Sequence, residues 1–165
     1  LDGDAQRASE CLEACLEVHR AARRSWPVAM ARLHLGHQAL EQGRFDDAAR
    51  ELSVATLHAD RLGALPLLSE IWCAQARLAL ERRDNAPVEG LLRRAWALAG
   101  ELTLPAAFVD VLLTTAWWRA RQGQPDEARA RLAEAERLLE ALGQRRRPEP
   151  RWSFTIARVL DTLPH

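Results

Sequence analysis

The protein has 165 residues, 48% of them hydrophobic, with 23 basic side chains against 23 acidic ones and a formal net charge of zero. That balance argues against nucleic acid as the main ligand, because phosphate binding draws on a basic surplus. No apolar run approaches the ~20 residues that span a bilayer, and the odd set Cys11, Cys15 and Cys73 forms no disulfide pattern and fits a reducing cytoplasm.

In chain order, the first expected element is a helix over about 4–23. Pro27 opens the next, over about 27–42, since proline is tolerated at a helix start and not inside. A second helix follows Gly43-Arg44-Phe45-Asp46-Asp47. Its stripe is Ala48, Leu52, Ala55, Ala59 and Leu62, the i, i+3/i+4, i+7 pattern of an amphipathic helix. Asp46 and Asp47 suit its first turn, and Gly63 its end. Pro66 and Pro105 open helices over about 66–82 and 105–122. Between them a helix is expected over about 85–100, with Leu92, Ala95, Leu98 and Leu102 as its stripe. Another starts at Pro125-Asp126-Glu127 and stops at Gly143. The last, about 151–162, carries Trp152, Phe154, Ile156 and Val159.

These elements repeat with a period of 40 residues. Gly43 aligns with Gly123, and Leu52, Leu92 and Leu132 align, as do Ala55, Ala95 and Ala135, and Leu62, Leu102 and Leu142. A fixed period of this size signals a stacked repeat array. The expected fold is therefore all-α, about eight helices in antiparallel pairs. It divides into a half repeat at 1–24, repeats at 25–64, 65–104 and 105–144, and a capping helix at 150–163. The last helix is expected to cover the apolar flank of the repeat before it. The chain starts at Leu1, inside a repeat, so a longer parent protein is expected.

Leu35-Gly36, and Ala48 followed by Leu52, fit the L-G and A-x3-F elements of the tetratricopeptide consensus. Trp72 takes the Trp position of the next unit, Ala76 and Ala116 take the Gly position, and Ala128 to Leu132 repeats A-x3-F. The chain thus resembles a tetratricopeptide (TPR)-like superhelical array. It departs in having Ala39, Ala79 and Arg119 at the Tyr position, Gln75 and Thr115 for Leu, and a unit longer than the usual 34 residues. This longer unit resembles the helical arm of large bacterial LuxR-type transcriptional regulators, which join an ATPase, a repeat arm and a helix-turn-helix.

The resemblance implies a groove lined by equivalent faces of the first helices. Its rows would be Met30, Glu70 and Asp110, then Leu33, Cys73 and Leu113, then His37, Arg77 and Trp117. Polar groups fix orientation while apolar walls give affinity, so a protein, a peptide or a small-molecule effector would fit. The opposing reading packs these residues between repeats. Of Trp117 and Trp118, about 100° apart on a helix, one is expected in the core and the other in the groove or at an interface. Trp26, Trp72, Trp96 and Trp152 read as packing residues between repeats.

No third ligand joins His34 and His37, so no metal site is expected, and no cofactor. Arg145 to Arg147 read as a solvated loop. No phosphate loop, nucleophile elbow or His-Glu-x-x-His motif occurs. The expected function is non-catalytic binding of a protein or ligand in signal transduction, as the arm of a cytoplasmic bacterial regulator. A stand-alone adaptor and a helical accessory domain of an enzyme remain open. Neither nucleic acid nor membrane is expected to bind this segment. Leu12, Cys15 and Leu16 would present an apolar stripe through which copies self-associate.

Overall fold

The computed structural model describes residues 7, 8, 10–14, 16 and 25–164. Among these the chain is all-α, with no strand. Helical residues near the N-terminus precede seven further helices: α1 (Ser25–Glu41), α2 (Phe45–Leu62), α3 (Leu65–Glu81), α4 (Val88–Leu102), α5 (Pro105–Arg121), α6 (Pro125–Ala141) and α7 (Pro150–Thr162). The remainder of the helix expected over 4–23, with Cys15, lies outside the described residues. None of the described helices is long and apolar enough to cross a membrane.

The chain forms three helical hairpins, α1–α2, α3–α4 and α5–α6, each packed on the next. The small residues of the 40-residue pattern sit at the crossings. A Cβ built on Gly36 of α1 would meet Leu52 Cδ2 of α2 at 2.8 Å. Ala76 and Ala116 occupy the same position in the later hairpins and are fully buried, as are Ala55, Ala95 and Ala135 on the second helices. Short side chains here let backbones approach to roughly the 8–10 Å of close helix packing. The column Leu62, Leu102 and Leu142 does not share this burial. Leu62 and Leu142 are exposed, because the stripe ends one turn earlier at Ala59, Ala99 and Leu139.

Tight turns join the helices. Gly43, Gly63, Gly123 and Gly143 have φ of 72°, 60°, 73° and 70°, the left-handed conformation that closes a helix C-terminus. After each, the next amide reaches back to a carbonyl of the last turn, as Ala64 N–H does to Ala59 O at 2.9 Å and Gln144 N–H to Leu139 O at 2.8 Å. The middle hairpin makes the same turns without glycine: Arg83 has φ 58° and Thr103 φ 49°.

The helix expected over 85–100 is shifted to Val88–Leu102. Asn85-Ala86-Pro87 forms a turn in which Asp84 Oδ1 accepts from Ala86 N–H at 3.3 Å. At the other end the helix runs through Gly100 to the Thr103 turn, in register with Gly63 and Gly143.

Two apolar clusters form the core. One joins α1, α2 and α3, and the other runs from α3 through α6 to Trp152 and Val159 of α7. Leu16 is buried against Val28, Ala31 and Leu35 of α1, with Leu12 packed beside it. Of the stripe expected to lie open at this end, Leu16 is therefore covered, while Leu12 is only partly buried and borders a cavity. Trp72 and Trp152 are buried, whereas Trp26 is 46% exposed, a correction to its expected place between repeats. Trp96 is also partly exposed but does bridge repeats, its ring edge-to-face with Phe108 at 5.7 Å.

Candidate functional site

The nine residues expected to line a groove do share one face, that of α1, α3 and α5. The expectation that this face is open is corrected by the structure. Leu33, His37, Cys73, Arg77, Asp110, Leu113 and Trp117 are buried, and Met30 and Glu70 are partly buried. The cover over Glu70, Arg77, Asp110 and Trp117 is α7, which packs mainly on α5 and touches α1 and α6 to a similar, smaller extent. It runs in the same direction as α3: Arg151 meets Glu70, Thr155 meets Arg77, and Arg158 meets Glu81. Instead of only closing the end of the stack, α7 lies across its face.

The contact is built from charge. Arg77 is 1% exposed and Asp110 2%. Burying such groups costs far more than burying apolar ones unless each is paired and hydrogen-bonded. Here Arg77 Nη2 donates to Asp110 Oδ1 at 3.1 Å, and Nη1 to Thr155 Oγ1 at 3.2 Å and Arg151 O at 3.3 Å. Arg77 Nε donates to Cys73 O at 3.3 Å. From α7, Arg151 Nη1 donates to Glu70 Oε1 at 2.7 Å, and its Nε lies 3.3 Å from Asp110 Oδ2. His37 Nε2 lies 3.2 Å from Glu70 Oε1. One network thus ties together α1, α3, α5 and α7.

The expected rows explain this arrangement once they are offset. His37, in the third row of one repeat, bonds Glu70, in the first row of the next. Arg77 bonds Asp110 by the same step. In the last repeat Trp117 takes the third-row position, and it meets Phe154 of α7 edge-to-face at 6.3 Å. Trp118 lies partly exposed beneath the Arg119 guanidinium, 4.6 Å away, so the two tryptophans divide between core and surface.

Burial dominates the electrostatics. It lowers the His37 imidazole to about 4, against the pull of Glu70, so this ring is neutral at pH 7. Burial would raise Glu70, but its bond to His37 and the charge of Arg151 win and hold it near 2. Asp110 is pushed up by burial, against the two guanidiniums beside it. Cys73 is likewise driven up by burial, which suppresses the thiolate a nucleophile needs. At the edge of the network, a cavity of about 490 Å³ opens between α1, the N-terminal helical residues and Arg151, bordered by His34, Glu41 and Glu149.

Three features went unread in the sequence. Arg151 and Thr155 of α7 belong to the network, and Arg158 Nε forms an ion pair with Glu81 Oε1 at 2.6 Å. Among the described residues no cluster of three or more His, Cys, Asp and Glu could hold a metal ion. Arg145, Arg146 and Arg147 are exposed, with Arg145 paired to Glu140 at 3.0 Å. Compared with protein-family models, curated proteins and solved structures, the chain matches none.

Proposed function

We propose that this domain is a non-catalytic recognition module whose α1, α3 and α5 face binds a helical segment of another protein. We further propose that it serves as the interaction arm of a larger bacterial transcriptional regulator. One observation carries the binding reading: that face already holds a helix, α7, on a prepared set of polar and aromatic contacts. A helix lying in a groove is a common mode of protein recognition, and the stacked first helices supply such a surface. The buried ionisable groups are engaged with one another, and Cys73 is both buried and protonated, which favours binding over catalysis. The regulator context rests on the sequence resemblance alone. A partner would switch such a protein only by binding one of its states more tightly than the other.

The reading requires α7 to leave its seat without unfolding the stack. Hydrogen exchange with mass-spectrometric readout tests this, because locally opening segments exchange ahead of the global transition. The amides of α7 are expected to exchange well before those of α3 and α5. Exchange of α7 only together with the core would refute the module, since the face would then never be free. The parent reading frame tests the context: a phosphate-loop ATPase and a helix-turn-helix are expected beside this segment, and repeats alone would refute the regulator.

A further inference from the structure

The charges on the covered face are out of balance without α7. Glu70, Glu81 and Asp110 present three carboxyl groups, and Arg77 presents one guanidinium. The helix α7 brings two arginines, one to each end of this set: Arg151 to Glu70 and Asp110, while also paired with Glu149 at the helix's own N-cap, and Arg158 to Glu81. Between them it inserts Phe154 against Trp117 and sets the Thr155 hydroxyl to accept from Arg77. The imbalance matters because Glu70 and Asp110 are poorly solvated, and a buried charge without a partner is costly.

Building on the proposed recognition role, we infer that the face is selective for an amphipathic helix bearing arginines seven residues apart with an aromatic side chain between them, and that α7 is its built-in competitor. A partner of this kind restores both ion pairs when it displaces α7. A helix without the arginines leaves Glu70 and Asp110 short of charge and is rejected, so selectivity comes as much from what is penalised as from what is gained. Glu149, Pro150 and Arg151, at the start of α7, border the open cavity, so a partner can approach at the Arg151 end first.

The test uses the whole chain and a fluorescent synthetic peptide of residues 148–164 as the probe. The chain carrying R151Q and R158Q, checked for native helicity by circular dichroism, should bind the wild-type peptide at least about tenfold more tightly than the wild-type chain does, because its own helix competes less. A peptide with the same two substitutions should bind that variant chain at least about tenfold more weakly, the cost of losing two charged anchors. Equal affinity of the two peptides overturns the charge selectivity and leaves helix recognition standing. No binding of either peptide, with α7 of the variant chain displaced as judged by Trp152 emission, overturns both. A second pair guards against a variant that does not fold: an E81R chain, whose own Arg158 is equally mispaired, should bind a peptide with R158E at least about tenfold more tightly than the wild-type peptide, and equal affinity for the two also refutes the pairing. A dimer of the intact chain that the peptide dissolves would identify the occupant as α7 of a second copy and overturn the assignment to a foreign helix.

Discussion

The ion pair at the centre of the network gives the sharpest prediction. Arg77 and Asp110 are 1% and 2% exposed, so removing either strands the other in the core. Arg77→Met leaves the Asp110 carboxyl without its buried guanidinium partner, with Arg151 Nε 3.3 Å away and the Trp152 side chain beside it. Asp110→Leu leaves one guanidinium nitrogen of Arg77 without its acceptor, though Cys73 O, Arg151 O and Thr155 Oγ1 stay. Breaking a buried pair from one side costs about 3–5 kcal/mol, and the remaining partners place both single variants near 3. For a domain whose total stability is of order 5–15 kcal/mol, either loss is severe. The double variant Arg77→Met with Asp110→Leu removes both charges and fills the space with apolar atoms. Such replacements are often neutral or stabilising, so it should lie within about 1–2 kcal/mol of the wild type. The resulting coupling is at least about 4 kcal/mol. Urea denaturation followed by far-ultraviolet circular dichroism measures all four chains, and similar slopes would show comparable surface exposed on unfolding. A double variant as destabilised as the sum of the singles, within about 0.5 kcal/mol, would refute the pairing.

Two further predictions concern pH and the turns. His37 has a folded pKa of about 4 against 6.5 unfolded, so the unfolded chain binds the extra proton and stability falls as pH drops from 6.5 towards 4. The loss attributable to this ring approaches about 3 kcal/mol. A His37→Gln chain should lose less stability than the wild type between pH 7 and pH 5, and parallel losses in urea titrations would contradict the assignment. Arg83 and Thr103 hold left-handed turns that glycine holds in the other repeats. Replacing each by Gly should stabilise by about 0.5–1 kcal/mol, the relief of strain less the extra unfolded-state entropy, and the pair should raise Tm by about 3–6 °C. Arg83→Ala and Thr103→Ala keep the Cβ and should give no gain; equal effects of Ala and Gly would remove the conformational explanation.

The helices were legible because local rules decide their ends. Proline at a helix start and glycine in a left-handed turn placed most boundaries within a residue or two, since both act through backbone geometry without reference to the rest of the fold. The α4 helix escaped for the same reason. Its turn residues, Arg83 and Thr103, adopt the glycine conformation without being glycine, so residue type alone did not mark them. Gly100, which did look like a stop, lies on an exposed helix surface with open space around it, where it costs a little helix propensity and ends nothing. The period carried the missing information: 83 and 103 lie midway between Gly43 and Gly123, and between Gly63 and Gly143.

The site was half legible, and the missing half has a physical cause. The tetratricopeptide resemblance, carried by position from repeat to repeat, implied one face for His37, Glu70, Arg77, Asp110 and Trp117, and the structure joins the first four in one network. It could not say what lies above that face. A charged residue on a helix is ordinarily solvated, so Arg77 and Asp110 read as a polar rim. Their partners are one repeat away, in the step from the third row of one unit to the first row of the next. That offset is a property of the stacking and not of either helix. The cover itself was a known element: α7 buries Trp152 and Val159 against the last repeat, as expected, and also reaches α3. A helix whose only role is to close a stack needs an apolar stripe. Besides Trp152, Phe154, Ile156 and Val159, α7 carries Arg151, Thr155 and Arg158, all of which make polar contacts with α3. Two arginines at the ends of a helix that also bears an aromatic stripe fit a face that is short of positive charge, and the stack supplies one at Glu70, Asp110 and Glu81.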